Sequence, residues 1–183
     1  LIDIGDKVCK QIDKYLNKQT NGKHDINTFY NLIHKSNTYK GRLLHYFPNK
    51  NVSNNLDESC GWHLDHGCIT ILLSPLFFKN SNVQNINDSG LYIRNHIGEN
   101  IKIDIPEDCI AIQLGEMMQY MSGGYLRATP HCVNGFNNSD ISREQFALFM
   151  DFEPNTKIHL PPYSHHKEYV LTSLGINLPQ INE

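Results

Sequence analysis

The sequence predicts a single mainly β domain, a sandwich or barrel, with helices at both ends of the chain. Short apolar or alternating segments recur between residues 42 and 152, separated by Gly, Pro, Asn and Asp. This is the pattern of strands joined by turns. Both flanks instead place apolar residues at helical spacing. The chain of 183 residues, 39% hydrophobic and 19% charged, fits one domain around one sizeable core.

The first 38 residues predict two flanking helices. Apolar residues of the first segment recur three or four positions apart, which places them on one face of an amphipathic helix. They are Ile4, Val8, Ile12, Tyr15 and Leu16. We expect this helix over Ile4–Lys18 and a second one over Asn27–His34, with the Asn21-Gly22 turn signal between them.

The central segment, residues 40–155, predicts the β core. The expected strands are Arg42–Phe47, Ile69–Leu73, Leu91–Arg94, Ile101–Ile105, Ile110–Leu114 and Phe146–Phe152. Alternation in Ile101–Ile105 predicts a strand with one buried face. The apolar stretch Ile69–Phe78 is predicted to be a strand followed by a turn. Two Asn-rich stretches, Asn49–Asn55 and Asn80–Asp88, are expected to be surface loops.

The tail, residues 156–183, predicts one more helix. We expect it over Ser164–Leu174, ended by Gly175, with His165 and His166 at a solvated helix start. No internal repeat or second domain boundary is visible. The prediction is therefore one domain over residues 1–183, with flanking helices in 1–38 and a C-terminal tail after the core.

Charge and composition argue against several function classes. Lys and Arg total 16 against 19 Asp and Glu, a net charge of -3, which disfavours a nucleic-acid binder. No apolar run approaches the roughly 18 residues of a membrane span. The cysteines are odd in number, scattered and without a CxxC, which favours a reducing compartment. The first residues show no signal-peptide pattern, so we expect a cytoplasmic protein, although a start at Leu1 leaves room for a trimmed N-terminal segment or lid.

Two separated segments carry candidate metal ligands. His63 and Asp65 are two residues apart, which in a strand places both side chains on one face. The pair is weak by itself in a chain with ten histidines, where a surface ion pair is the simpler interpretation. His131 follows 66 residues after Asp65 and suits a ligand from a distant strand. Two His and one carboxylate form the facial triad of non-haem Fe(II) oxygenases.

Arg143 is a candidate anion-binding residue. It lies twelve residues after His131 and leads into the last predicted strand. A buried arginine at a barrel mouth suits a bidentate contact with a carboxylate. A structural salt bridge is the alternative for Arg143, and core packing is the alternative for Tyr46, Trp62 and Phe149.

The segments around these residues resemble the isopenicillin N synthase-like branch of the Fe(II)/2-oxoglutarate-dependent oxygenases. The likeness covers about residues 40–155. It includes the His-x-Asp of Gly61–Gly67, a distal His within a Thr-Pro-His-x-Val stretch, and an Arg some ten residues later. The further matching segments are Leu44–Pro48, Asp104–Pro106, Leu114–Met118 and Ser122–Val133.

The resemblance implies a fold and a set of residue roles. The fold would be mainly β (α+β): a double-stranded β-helix, or jelly roll, with N-terminal and C-terminal flanking helices. His63, Asp65 and His131 would bind Fe(II). Arg143 would hold the distal carboxylate of 2-oxoglutarate with help from Tyr46. Gln145 stands where the family has serine, which leaves the identity of the cosubstrate open. Trp62 and Phe149 are candidates for the substrate pocket.

The implied function is an oxidoreductase, a dioxygenase that couples oxidative decarboxylation of 2-oxoglutarate to oxidation of a small organic substrate. Its cofactors would be Fe(II) and 2-oxoglutarate, with ascorbate as a further candidate, and its partners a small-molecule substrate and dioxygen. The carboxylate ligand Asp65 favours hydroxylation, desaturation or ring closure over halogenation. Two alternatives stay open: an isopenicillin N synthase-like oxidase that does not use 2-oxoglutarate, and a non-catalytic jelly-roll domain that binds a metal or metabolite.

Overall fold

The structure is a computed structural model that describes residues 1–48, 60–86, 90–134, 140–160 and 162–175. Its helices are α1 (Ile2–Gln19), α2 (Thr28–His34), α3 (Glu116–Met121) and α4 (His166–Ser173). Its first strands are β1 (Lys40–Tyr46), β2 (Cys60–His63), β3 (Ile69–Leu73), β4 (Leu76–Lys79), β5 (Asn82–Gln84) and β6 (Leu91–Arg94). They are followed by β7 (Asn100–Ile103), β8 (Ile110–Leu114), β9 (His131–Val133), β10 (Ser142–Met150), β11 (Lys157–Leu160) and β12 (Tyr163–His165).

Two antiparallel sheets form the body of the protein. The larger sheet runs in the order β5-β4-β10-β3-β8, with β1 paired to the other side of β10. The smaller sheet runs β2-β9-β6-β7, and β11 pairs with β12 in a separate hairpin. The nine-residue strand β10 contacts β1 along one side and both β3 and β4 along the other, so it is the centre of the larger sheet.

The two sheets pack face to face, and their inner side chains form one hydrophobic cluster. Leu72 and Ala147 come from the larger sheet, and Leu91 and Val133 from the smaller one. A second cluster lies on the outer face of the larger sheet, where α1 and α2 cover it. Gly5 makes this close approach possible, because a Cβ there would meet the Met150 Sδ at 2.3 Å. The metal-ligand candidates lie between the sheets, away from the two covering helices.

Most predicted elements are confirmed. Strands β3, β6 and β8 have the predicted bounds, and α1, α2, β1, β7, β10 and α4 differ from their predictions by a few residues at their ends. Gly175 follows α4 with a φ of 74°, a conformation that glycine adopts without strain. The stretch Asn49–Asn55 lies outside the described residues.

Four predictions about local structure are wrong. The Ile69–Phe78 stretch is two strands joined at Pro75 rather than a strand and a turn, and β5 lies inside the predicted loop Asn80–Asp88. Ile101 is 40% exposed although it stands on the expected buried face, because β7 is the edge strand of its sheet. His166 is buried, with 3% of its surface exposed, where a solvated helix start was expected.

No helix in the described ranges is both long enough and apolar enough to cross a membrane.

Candidate metal centre

Three candidate ligand side chains converge between the sheets. The His63 Nε2 lies 3.8 Å from the Asp65 Oδ1, and the His131 Nε2 lies 3.7 Å from the same oxygen. Within the described part of the chain, these three residues are the one His, Cys, Asp and Glu group whose donor atoms all fall within 4.8 Å of one another. Two imidazole nitrogens and one carboxylate oxygen form a donor set that a divalent transition metal accepts.

Strand pairing brings the two histidines together. His63 ends β2 and His131 begins β9, and the two residues stand directly opposite each other in the antiparallel register. Their ring centroids are 4.2 Å apart. Asp65 lies beyond the end of β2, so the expectation that His63 and Asp65 share the face of one strand is wrong. The chain leaves β2 after His63, and the turn that follows brings the Asp65 carboxylate back to the two imidazoles.

Backbone carbonyls orient both imidazoles. The His63 Nδ1 lies 2.7 Å from the Gly61 carbonyl oxygen, and the His131 Nδ1 lies 3.1 Å from the Thr129 carbonyl oxygen. An Nδ1–H that donates to a carbonyl leaves the Nε2 lone pair free for a metal. Both Nε2 atoms face Asp65, so the tautomers that these contacts favour are the ones that metal binding needs.

The Asp65 carboxylate is held from a second side. The Thr70 hydroxyl on β3 donates to the Asp65 Oδ2 at 2.5 Å, which leaves Oδ1 toward the histidines. The Asp65 backbone carbonyl accepts a hydrogen bond of 2.7 Å from the Glu116 amide at the start of α3. Gly115 packs against this turn so closely that a Cβ would meet the Gly67 carbonyl oxygen at 2.1 Å. The ligand turn and α3 therefore form one unit.

The two imidazoles differ in their basicity in the metal-free protein. The neighbouring Cys60 thiol, with the Gly61 carbonyl, raises the pKa of His63 to about 9. Burial lowers the pKa of His131. The side chain of His63 is 40% exposed, whereas that of His131 is 8% exposed, so the centre opens on the His63 side. A bound cation takes both Nε2 lone pairs and so displaces any proton held there.

A cavity of about 340 Å³ contains the three residues. Side chains from β1, β3, β8 and β10 form its wall on the larger sheet, and Val170 and Leu174 reach it from α4 and the residue after it. Its volume falls in the usual range of small-molecule sites. The candidate metal centre therefore faces a space that a small ligand can enter.

Arg143 lies next to this cavity, outside the described residues that line it. It is 3% exposed, its guanidinium carbon lies 4.8 Å from the centre of the Tyr46 ring, and the two residues stand opposite each other on β10 and β1. Its Nη2 donates to the Gln145 Oε1 at 2.6 Å. The Gln145 Nε2 in turn donates to the Leu73 carbonyl oxygen. Tyr46 and Gln145 line the cavity, and Arg143 lies against both of them.

The two pocket candidates have different positions. Phe149 lines the cavity from β10. Trp62 is not among the described residues that line it, and its ring instead lies 4.3 Å from the guanidinium carbon of Arg94 on β6. The structure thus places Phe149 on the cavity wall and Trp62 beside Arg94.

Sequence reasoning missed the residues that support the ligands. Thr70 and Glu116 contact the Asp65 residue from β3 and α3, and no short-range pattern in the sequence links them to it. His66, next to Asp65 in the chain, also contacts Glu116, with its Nδ1 2.8 Å from the Glu116 Oε2. The Leu114–Met118 segment, which forms part of the family resemblance, was the one available signal for the Glu116 contact.

The three candidate ligands lie within a segment that matches a known protein family. The family model of the 2OG-Fe(II) oxygenase superfamily matches residues 39–151. The chain belongs to the 2OG-Fe(II) oxygenase superfamily. The resemblance found in the sequence is confirmed, and Fe(II) and 2-oxoglutarate, the cofactors predicted from it, are those for which this family is named.

The chain is similar to one curated protein in sequence and to two solved structures in fold. The 2-oxoglutarate-dependent dioxygenase tropC of Talaromyces stipitatus is 33% identical over 118 residues, which cover 64% of this chain and 32% of that protein. A Caulobacter crescentus protein described as a 2OG-Fe(II) oxygenase family member has a TM-score of 0.73 at 24% identity, over 96% of this chain and 55% of that one. A full-length Neurospora crassa protein in complex with alpha-KG has a TM-score of 0.68 at 19% identity, over 95% of this chain and 55% of that one.

The structural likeness confirms the predicted fold, a mainly β jelly roll with flanking helices. The chain spans about a third of the length of the curated relatives that it matches.

Proposed function

We propose that this chain carries the catalytic site of an Fe(II)/2-oxoglutarate-dependent dioxygenase that oxidises a small organic substrate. One observation carries the proposal: His63, Asp65 and His131 place three donor atoms within 4.8 Å of one another inside a cavity. Arg143 lies next to the same cavity, in contact with two of its lining residues. Membership of the superfamily supports the same activity.

The proposed roles follow from the donor atoms. His63 and His131 bind the metal through Nε2, and Asp65 binds it through Oδ1, with Thr70 holding the other carboxylate oxygen. Three protein donors leave the remaining positions of the ion to ligands from solution. When bound, Fe(II) and 2-oxoglutarate would supply the electrons that reduce dioxygen, and dioxygen would supply the oxidising power for a C–H bond of a neighbouring substrate. The apolar residues of the cavity wall limit the access of bulk water to that bond.

The cosubstrate end of the cavity is assigned to Arg143, Tyr46 and Gln145. A carboxylate of 2-oxoglutarate pairs with the Arg143 guanidinium, which is always charged and rigidly planar. Tyr46 packs against that guanidinium, and burial raises the pKa of its phenol, so the ring stays neutral and able to donate a hydrogen bond. Gln145 positions the guanidinium through its side-chain carbonyl.

An iron oxidase that takes all its electrons from the substrate is the second candidate function. The contact between Gln145 and Arg143 favours it, because Gln145 already accepts the hydrogen bond of the Arg143 Nη2. A cosubstrate carboxylate has to use the other N–H groups of the guanidinium or replace this contact. Consumption of 2-oxoglutarate separates the two functions.

Several further assignments accompany the proposal. The five free cysteines support a reducing and therefore cytoplasmic location. In this proposal residues 1–183 belong to one domain with its core in 40–155, and Phe149 contacts the substrate. Dioxygen as co-reactant follows from the proposed activity, whereas ascorbate and a substrate contact of Trp62 stay predictions.

Turnover under air tests the proposed function. The protein with Fe(II) and 2-oxoglutarate is expected to form succinate, and His131→Ala is expected to abolish this because one of three ligands is lost. His45→Ala is the matched control, since His45 contacts Glu144 on the exposed side of β1. Normal turnover by His131→Ala would contradict the site. Oxygen uptake without loss of 2-oxoglutarate would support the oxidase, and metal binding without any turnover would support a binding domain.

A further inference from the structure

Strand β1 lines one whole side of the cavity with alternate residues. Lys40, Arg42, Leu44 and Tyr46 all reach it, as the two-residue period of a strand requires. Tyr46 stands at the Arg143 end. Arg42 is four residues away along the strand, about 13 Å at the usual strand rise. The cavity therefore has a second positively charged region, formed by Lys40 and Arg42, that is separate from Arg143.

Packing holds the Arg42 side chain against the cavity wall. Its guanidinium carbon lies 5.1 Å from the centre of the Phe149 ring, and Phe149 itself lines the cavity. A guanidinium that stacks on an aromatic face keeps its N–H donors free at its edge. Lys40 stands directly opposite Phe149 in the register of β1 and β10, so both cations border the same aromatic side chain.

The carboxylates of the cavity do not offset both cations. Asp65 and Asp151 are the described acidic residues that line it, and Asp65 faces the two histidines. The charges of Fe(II) and Arg143 balance those of Asp65 and a doubly charged 2-oxoglutarate. Lys40 and Arg42 then face Asp151 alone, whose Oδ1 accepts a hydrogen bond from the Cys68 amide. The loaded cavity is left with an excess of one positive charge.

Most other residues of this region are apolar, apart from Thr70 and Gln113, which stand in the same register row as Phe149. Leu72, Ala147 and Phe149 form the sheet side, and Val170 and Leu174 form the side at α4. A ligand that fits both the charge and the surface has an apolar body and a single anionic group.

We propose that the substrate of this site is a small apolar monocarboxylate, whose carboxylate binds Arg42 with support from Lys40. The proposal rests on the proposed function and names its substrate class. It places the two carboxylate-bearing ligands at opposite ends of the cavity, the cosubstrate at Arg143 and the substrate at Arg42, with the metal centre open to both.

Binding of paired acids and amides tests this substrate class. The probes are phenylacetate, cyclohexylacetate and cinnamate, each with its primary amide, added anaerobically to protein loaded with Fe(II) and 2-oxoglutarate. Titration calorimetry and the visible band of the iron–2-oxoglutarate complex report binding. At least one acid is expected to bind at least tenfold more tightly than its amide. Arg42→Gln is expected to weaken that acid by about ten- to a hundredfold, the usual worth of a charged hydrogen bond, and to leave the amide unchanged.

Arg94→Gln is the matched control, because Arg94 is also an exposed strand residue over an aromatic ring, yet lies outside the cavity lining. Lys40→Gln is expected to weaken the acid less than Arg42→Gln does. The proposal is overturned if no acid binds, if acids and amides bind equally, or if Arg42→Gln behaves like Arg94→Gln.

The band formed before any acid is added separates this proposal from the proposed function. Its formation in wild-type protein and in Arg42→Gln shows that the cosubstrate end works, so a failure of acid binding then counts against the substrate class alone. Absence of the band in wild-type protein counts against the proposed function. In that case the binding of the acids is measured on protein loaded with Fe(II) alone, and Arg42→Gln is again compared with Arg94→Gln.

Discussion

At the scale of single residues, Thr70 decides which Asp65 oxygen faces the histidines. Thr70→Val keeps the shape of the side chain and removes the 2.5 Å hydrogen bond to Oδ2. Loss of such a supporting contact is expected to lower metal affinity by about 10- to 100-fold while the fold is kept. Competition titration with a metal indicator measures the change. Thr20→Val, which removes a hydroxyl contact at the end of α1, should leave the affinity unaltered; equal affinities in all three proteins would refute a supporting role.

Gly115 is a second residue whose substitution is expected to affect the metal site. Gly115→Ala places a Cβ at 2.1 Å from the Gly67 carbonyl oxygen, so the ligand turn or α3 has to shift. We expect a loss of about 1–3 kcal/mol in the free energy of unfolding, the usual cost of overpacking, together with weaker metal binding. Urea unfolding measures the first effect. Gly61→Ala is the comparison, since a Cβ there meets nothing within 4 Å; a Gly115→Ala protein as stable as Gly61→Ala would rule out the close contact.

The ligand set was predictable from the sequence, but its support was not. His63, Asp65 and His131 stand in short segments that resemble one family, so residue type and local context were enough. The prediction that His63 and Asp65 share one face of a strand is wrong, because Asp65 lies beyond the end of β2. Thr70 and Glu116 reach Asp65 through the packing of separate elements, which no local pattern encodes.

At the scale of elements, α4 is joined to the ligand turn through a shared carboxylate. The Tyr169 hydroxyl donates to the Glu116 Oε2 at 2.7 Å, and the His66 Nδ1 lies 2.8 Å from the same oxygen. Val170, the next residue of α4, lines the cavity. Glu116 therefore couples the helix that borders the cavity to the turn that carries Asp65.

Tyr169→Phe tests this coupling. Loss of one hydrogen bond is expected to destabilise the docking of α4 by about 0.5–1.5 kcal/mol. Amide hydrogen exchange over residues 166–173 should then become faster, while exchange in β10 stays unchanged. Tyr15→Phe, at an exposed position of α1, is the control. Unchanged exchange in α4 would mean that the helix docks without the Glu116 contact.

The elements that were predicted correctly are those with an uninterrupted local signal. Strands β3, β6 and β8 are apolar runs bounded by turn residues, and their bounds matched. The pair β4 and β5 was missed because Pro75 and the Asn-rich segment resemble a turn and a loop. β4 is a strand because it pairs with the first residues of β10, a contact between distant parts of the chain. Helix α3, with six residues, is too short to show a helical period.

At the scale of the whole molecule, a buried histidine links stability to pH. His166 packs against Phe152 and its Nδ1 has no hydrogen-bond partner among the described residues. Burial lowers the pKa of His166; the nearby Asp151 opposes this effect and Lys40 adds to it. The folded-state pKa thus lies below the value of about 6.5 in the unfolded chain. The stability that neutral His166 allows is present above about pH 6.5 and is lost as the pH falls through the folded-state pKa.

His166→Gln removes this titration. The free energy of unfolding of the wild-type protein is expected to fall more steeply below about pH 6.5 than that of the variant. Urea unfolding at a series of pH values measures both slopes. His96→Gln, at an exposed site, should keep the wild-type slope. Parallel curves for wild type and His166→Gln would show that His166 does not titrate differently on folding.

The sequence was sufficient to predict a mainly β sandwich or barrel, but not the order of its strands. Alternating segments show that a strand has a buried face, whereas the position of β10 at the centre of its sheet depends on pairing with three separate strands. The jelly roll was predicted from the family resemblance, because the sequence does not show the order of the strands. The structural comparisons confirm this fold.

The central claim is that His63, Asp65 and His131 bind Fe(II) beside a 2-oxoglutarate site at Arg143. The most direct test is an anaerobic titration of the metal-free protein with Fe(II) and then 2-oxoglutarate, followed by the visible charge-transfer band of the complex. The band is expected in wild-type protein, absent in His131→Ala, and strongly weakened in Arg143→Met at the same concentrations. Iron binding without a band, or a band of full strength in His131→Ala, would contradict the claim.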